Sequence, residues 1–256
     1  MHQTTLEAYL TTSSLTIFCI FVVRFSISSK IMIRPREATV ADIPQIRDIN
    51  HYYIVNTSLT FATTPPPIFE YEDRLRDLKR RRLPFLVLAS DQRKTHDGAD
   101  LVLGYAYLSP FRGHLLAYAP TVELSIFMHP DERDHGLGTI LLEAIMNMVR
   151  DGQVEHRCEE RVGDIGSLVP GGSIGVSTDA RVRNVIAVVA IDPDTYMNGE
   201  GLRTWYTQRG FVEKGRLDSV GEKNGKWIDT VYLQYTAPKP MPTEFEQSVA
   251  RLQSWH

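Results

Sequence analysis

The chain has 256 residues, 43% hydrophobic, 23% charged and 9% aromatic, a balance that excludes a disordered or fibrous protein. Its net charge of −3 supplies no basic excess, so nucleic acid is not an expected partner. Its two cysteines, Cys19 and Cys158, form no CxxC and no metal-ligand spacing; this excludes a disulfide framework, leaves no expected metal, and makes a reducing compartment, the cytoplasm, the default.

Residues 1–31 differ from the rest. Leu15 to Val23 reads LTIFCIFVV, too short a run to span a bilayer as a helix. Met1 to Leu10 contains no Lys or Arg, so a signal peptide's basic region is missing. We read this stretch as a poorly ordered extension, with a membrane anchor as the alternative, and place the main domain at 32–236. Ile33 to Thr39 reads as a strand, with Pro35 suited to an edge. Asp42 looks like an N-cap and Pro44 sits in a first turn. Ile43, Ile46, Ile49 and Tyr53 then recur at helical spacing to about Asn56. Three prolines end the stretch Thr57 to Pro67. Tyr71, Leu75 and Leu78 mark a second helix, closed by the basic run Lys79 to Arg82 that complements its dipole.

Phe85 to Ala89 and Val102 to Leu108 read as strands joined by a polar connection. In Thr121 to Met128, Val122, Leu124, Ile126 and Met128 share one face, leaving Glu123, Ser125 and Phe127 on the other. A helix follows with Leu137, Leu141, Ile145 and Met148 in an i, i+4 series. Gly152 to Asn184 is rich in glycine and charge with little periodicity, and reads as a disordered insertion over 153–184. Val185 to Ile191 is an unbroken apolar run, expected of a strand covered on both faces. A helix near Gly201 to Gln208 and strands near Phe211 to Leu217 and Trp227 to Tyr235 complete the domain. A tail, 237–256, carries three prolines. The mixed order of elements predicts an α+β fold, a mixed sheet with helices on its faces.

The chemistry concentrates in Arg133-Asp134-His135-Gly136-Leu137-Gly138-Thr139, between a strand and an amphipathic helix. Two glycines there let the backbone approach a ligand, and the helix start offers N–H groups to an anion such as a pyrophosphate. The stretch is neither a P-loop nor GxGxxG. It resembles the Q/R-x-x-G-x-G/A signature of the GNAT superfamily of N-acetyltransferases. Asn50-His51-Tyr52, Thr60-Phe61, Phe111-Arg112, Tyr118, Thr121-Val122-Glu123, Asp192-Pro193-Asp194, Tyr206, Gly210-Phe211 and Gly225 to Asp229 follow, in order, the pattern of its phosphinothricin acetyltransferase-like branch.

The resemblance implies a mostly antiparallel central sheet with helices on both faces, acetyl-CoA as co-substrate, and a small-molecule primary amine as acceptor. It implies that the pyrophosphate binds at Arg133, Asp134, His135, Gly136, Leu137, Gly138 and Thr139, and that the pantetheine arm pairs with Ile126, Phe127 and Met128. It implies Glu123 as general base, Tyr206 beside the leaving thiolate, and Phe61, Arg112 and Tyr118 at the acceptor. Physical chemistry supports the base, since an amine must be neutral to attack a thioester and partial burial raises a carboxylate's pKa. A structural role remains the alternative for Glu123, a packed aromatic for Tyr206 and a surface residue for Arg112. No nucleophilic Cys or Ser arrangement occurs, in keeping with direct transfer. The pattern departs from the branch at Leu202, where a serine is usual, and at Asn198, one residue too far from Gly210-Phe211. Acetylation of a protein amine, or acyl-CoA binding without catalysis, are the competing readings; a homodimer is compatible with each.

Overall fold

The computed structural model describes residues 33–113, 115–133, 135–161 and 175–238. The expectations for 1–31 and for the tail beyond residue 238 lie outside the described residues. Among the described residues nine strands and four α-helices follow one another as β1 (Ile33–Glu37), α1 (Ile43–Asn56), α2 (Ile68–Arg80), β2 (Phe85–Lys94), β3 (Asp100–Pro110), β4 (Thr121–Met128), α3 (Leu137–Arg150), β5 (Glu155–Arg161), β6 (Gly175–Arg181), β7 (Asn184–Ile191), α4 (Glu200–Thr207), β8 (Val212–Lys223) and β9 (Lys226–Thr236).

Seven strands form one sheet in the order β1-β2-β3-β4-β7-β9-β8. Every neighbouring pair is antiparallel except β4 and β7. That single parallel pair needs a crossover, which α3 supplies. Pro35 lies in β1, an edge strand, where its missing N–H costs no ladder bond. The α1 ring of Tyr53 packs 5.3 Å from Phe127, whereas Gly138 of α3 lies against Met128. Phe127 and Met128 alternate across β4, so the two helices cover opposite faces. The core is built from both: Ile43, Ile46 and Ile49 on one side, Leu141, Leu142 and Ile145 on the other.

Three local expectations are corrected. Asp42 stands at the N-cap position of α1 as expected, but its side chain does not bond that helix's first turn. It folds back, accepting from the Thr39 amide at 2.8 Å and pairing with Arg36 at 2.7 Å, so Thr39 opens the turn that leads into α1. The β2–β3 hairpin runs past its apolar part, its last ladder pair being Lys94 with Asp100, because ladder bonding does not require buried side chains.

The third correction concerns 153–184, read from sequence as a disordered insertion. Its described parts form a two-stranded antiparallel sheet, β5 with β6, paired from Glu155↔Arg181 to Arg161↔Gly175. His156 and Cys158 turn inward and are buried, while Glu155 and Arg157 turn outward. The period-two pattern is there, but a histidine and a cysteine carry it in place of Val or Ile.

Candidate active site

The site starts from an interruption in the sheet. β4 and β7 pair only from Thr121↔Asn184 to Leu124↔Ala187. β4 stays paired to β3 as far as Met128, and β7 to β9 as far as Ile191. One backbone edge of Ser125–Met128 and one of Val188–Ile191 therefore have no ladder partner, in the middle of a sheet. Buried peptide groups left unbonded are costly, so such a wedge is suited to an extended ligand with amides of its own. Val188, the first β7 residue past the pairing, is 42% exposed, the exception to the predicted two-sided cover of β7.

The start of α3 lies beside Met128, the last residue of β4. Gly136 takes a left-handed φ of 74° as its N-cap, a conformation strained for any residue with a Cβ. A Cβ there would meet nothing within 4 Å, so the backbone faces open space. Gly138 lies 3.7 Å, measured from its ideal Cβ, from Met128 Cγ and 3.8 Å from the Trp205 ring. Amides of a helix's first turn lack acceptors within the helix and carry the positive end of its dipole. Glycine, free amides and an unpaired strand edge fit a pyrophosphate joined to a pantetheine amide chain. Arg133 donates to the Pro130 carbonyl at 2.9 Å and stacks over Tyr52. His135 is exposed, 4.0 Å from Glu132; Asp134 lies outside the described residues.

Arg209 was not singled out from sequence. Its guanidinium donates to Thr139 Oγ1 at 2.9 Å and to the Trp205 carbonyl at 2.8 Å, and stacks over Trp205 at 4.5 Å. It makes no ion pair among the described residues, and its Nε is buried without a partner. A fixed cation thus stands beside the α3 start. Its place directly before Gly210-Phe211 was the one available signal.

Glu123 sits near the point of divergence, opposite Ser109 on one side and Ile186 on the other. It is half-buried and forms no hydrogen bond or ion pair among the described residues. Burial raises its pKa, and the positive charge of Arg112 works against that rise. Arg112 itself has a left-handed φ of 56°, in the turn that also carries Tyr118, whose ring meets Phe111 edge-on at 5.2 Å. Tyr206 is buried on α4 between Trp205 and Phe211. Burial pushes its phenol well above the usual range, and its hydroxyl has no partner among the described residues.

Phe61 lies in the loop between α1 and α2 and is 38% exposed. Its ring packs on β8, where a Cβ on Gly221 would come within 2.2 Å of it. Lys223, 5% exposed, donates to the Thr60 carbonyl at 2.7 Å and holds this loop down. A cavity of about 290 Å3 lies nearby, lined by Ile54, Val55, Thr63 and Glu222 to Gly225. Neither Glu123 nor Tyr206 reaches it, so it is not the centre of the chemistry. Asn198 takes a left-handed φ of 53° in the turn before α4, and Leu202 is exposed. Among the described residues no group of three or more His, Cys, Asp or Glu could hold a metal, and no helix is long and apolar enough to cross a membrane.

The wedge and its glycine-bearing helix start are built for an extended anionic ligand, and comparison with known proteins gives the class, an acyltransferase. The acetyltransferase (GNAT) family model matches residues 49–165. A phosphinothricin N-acetyltransferase of Alcaligenes faecalis is 30% identical over 193 residues, covering 75% of this chain and 77% of that protein. An L-methionine sulfoximine/L-methionine sulfone acetyltransferase of Pseudomonas aeruginosa is 26% identical over 202 residues, covering 78% and 91%. Among solved structures, a phosphinothricin acetyltransferase from Sinorhizobium meliloti in complex with acetyl-CoA superposes with a TM-score of 0.58 at 26% identity, covering 83% of this chain and 94% of that one. The chain belongs to the GNAT family of acetyltransferases, in its phosphinothricin acetyltransferase-like branch, and is an N-acetyltransferase.

Proposed function

We propose that this chain transfers the acetyl group of acetyl-CoA to the primary amine of a small molecule, an amino acid or an analogue such as phosphinothricin or methionine sulfoximine, with Glu123 as general base. One observation carries the reading: a half-buried carboxylate with no partner among the described residues stands where β4 parts from β7. Acetyl-CoA supplies the acetyl group as a thioester, already activated toward amines. The unpaired edge of Ile126, Phe127 and Met128 is suited to hold its pantetheine arm. The loop of Arg133 and His135 to Thr139 is suited to its pyrophosphate, with Asp134 in the same stretch of sequence.

An amine reaching the site near neutral pH carries a proton that blocks its lone pair. Glu123 accepts that proton, directly or through a water. Its raised proton affinity, which burial causes and the Arg112 charge works against, suits it to the task. Tyr206, kept neutral by burial, offers its hydroxyl as a hydrogen-bond donor to the departing sulfur, and the second proton shed by the attacking nitrogen as the C–S bond breaks completes the thiol. Arg112 grips an acceptor carboxylate, as a guanidinium can in a bidentate pair. Phe61 and Tyr118 contribute apolar and aromatic surface to the acceptor.

Thiol release from acetyl-CoA, followed with phosphinothricin, methionine sulfoximine, common amino acids and a lysine-bearing peptide, tests the proposal. Turnover with the amino-acid analogues is expected. Turnover with the peptide alone would move the acceptor to proteins, and binding of acetyl-CoA without turnover of any amine would make the chain a non-catalytic module.

A further inference from the structure

The β5–β6 arm is fastened at two places. Against the end of α2, Arg80 pairs with Glu159, Arg82 with Asp179 at 3.2 Å, and the Arg157 amide donates to the Arg81 carbonyl at 2.9 Å. Against the turn between β3 and β4, His156 Nδ1 lies 2.9 Å from the Ala119 carbonyl. A carbonyl only accepts, so Nδ1 carries the hydrogen, as it does in the neutral Nδ1–H tautomer. Burial, which pushes this imidazole's pKa down, favours the same neutral form.

His156 is an expensive choice for a core position. It is 1% exposed, and its Nε2 is buried with no partner among the described residues. An apolar side chain of similar size would fill the space without stranding a polar atom. What the histidine adds is one directed bond to Ala119. Ala119 directly follows Tyr118 and closes the turn that begins with Phe111 and Arg112, and the charge of Arg112 reaches Glu123. Pro120, the next residue, accepts from the Arg183 and Asn184 amides at 2.9 and 3.1 Å, so the far end of the arm grips the same turn.

We propose that His156 is a positioning residue for the acceptor: through its bond to Ala119 the arm fixes the 115–120 segment, and with it Tyr118 and, through the edge-on contact of the Tyr118 and Phe111 rings, the neighbouring Arg112. The inference rests on the acceptor reading given under the proposed function. It makes the inserted arm a determinant of which amine is used, although the arm supplies no atom to the reaction.

Steady-state kinetics of the wild type, His156→Val and His156→Asn test it, with methionine sulfoximine and phosphinothricin as probes. In His156→Val the acceptor KM should rise about tenfold, the scale of one lost buried hydrogen bond, while the KM for acetyl-CoA stays put. Asparagine can return an N–H near the place of Nδ1, so His156→Asn should recover most of the loss. If the valine variant does not fold, His156→Gln, whose donor sits one bond further out, should show the same acceptor-only effect. An unchanged acceptor KM in a folded valine or glutamine variant, a parallel rise in both KM values, or an asparagine variant no better than valine would overturn the inference alone. No turnover of any amine by the wild type would overturn the proposed function, and this inference with it.

Discussion

Replacing Glu123 by glutamine keeps the shape of the side chain and removes its capacity as a base. A positioned general base contributes about a hundredfold to ten-thousandfold in rate, which corresponds to about 2.7 to 5.5 kcal/mol of barrier. kcat/KM for the amine near neutral pH should fall by that factor, with the KM for acetyl-CoA unchanged. Amines of this class have pKa values of about 8 to 10, so the deficit should shrink as pH rises and the free amine becomes abundant. Stability supplies a second, independent reading. Burial raises the Glu123 pKa in the folded protein, so the folded state binds this proton more tightly than the unfolded chain does. Ionising the group therefore costs stability, a cost absent below the unfolded pKa and complete above the folded one. Glu123→Gln removes that cost. Its Tm should equal or exceed the wild type near neutral pH, and the advantage should vanish as pH falls to about 4. A carboxylate kept for structure gives the opposite result, lower Tm with intact rate. That outcome in thermal melts and thiol-release assays would refute the assignment.

Gly136→Val should weaken acetyl-CoA binding in calorimetry, because a side chain at a φ of 74° would enter open space in front of the helix start; the left-handed backbone should cost only about 1–2 kcal/mol of stability. Unchanged affinity in the folded variant would remove this loop from the cofactor site. Replacing Glu155–Arg181 by a short Gly/Ser linker should lower stability by at least about 2 kcal/mol, since His156 and Cys158 are buried; a melt unchanged from the wild type would restore the reading of a dispensable insertion. Gly221→Ala places a methyl within 2.2 Å of the Phe61 ring. The ring is 38% exposed and can swing away, so the change should displace Phe61 at little cost in stability, raising the acceptor KM but not that for acetyl-CoA. Equal KM values with a wild-type melt would show that Phe61 takes no part in acceptor binding.

The elements that could be read from sequence were those whose apolar residues repeat with a clear period. Ile43, Ile46, Ile49 and Tyr53 lie on the buried side of α1, and Leu141 and Ile145 on that of α3, as their spacing predicts. The arm escaped for a physical reason. Its inward positions include His156 and Cys158, and its outward ones Glu155 and Arg157, so a pattern of hydrophobicity hardly registers. What buries those two residues is distant in the chain: the last turn of α2 and the turn at Ala119. Arg209 escaped similarly, since its place beside Thr139 depends on how α4 meets α3, seventy positions apart.

The wedge shows most clearly where sequence reasoning stops. Both strands were legible, Thr121 to Met128 by alternation and Val185 to Ile191 by its apolar run. Neither pattern says that they are neighbours, nor that their pairing lasts only from Thr121↔Asn184 to Leu124↔Ala187. A strand's sequence reports which faces are covered, not which edges are bonded. Yet the unbonded edge is what gives the other parts a common purpose. It leaves one edge of Ser125–Met128 without a strand partner, the Met128 carbonyl accepting from the Tyr53 hydroxyl at 2.8 Å, and it ends beside the glycines of α3. Glu123 stands just before the strands part, within the influence of Arg112. Had the ladder continued to Met128 and Ile191, the same residues would line a closed sheet, and Glu123 would be an unpaired carboxylate with cost and no use.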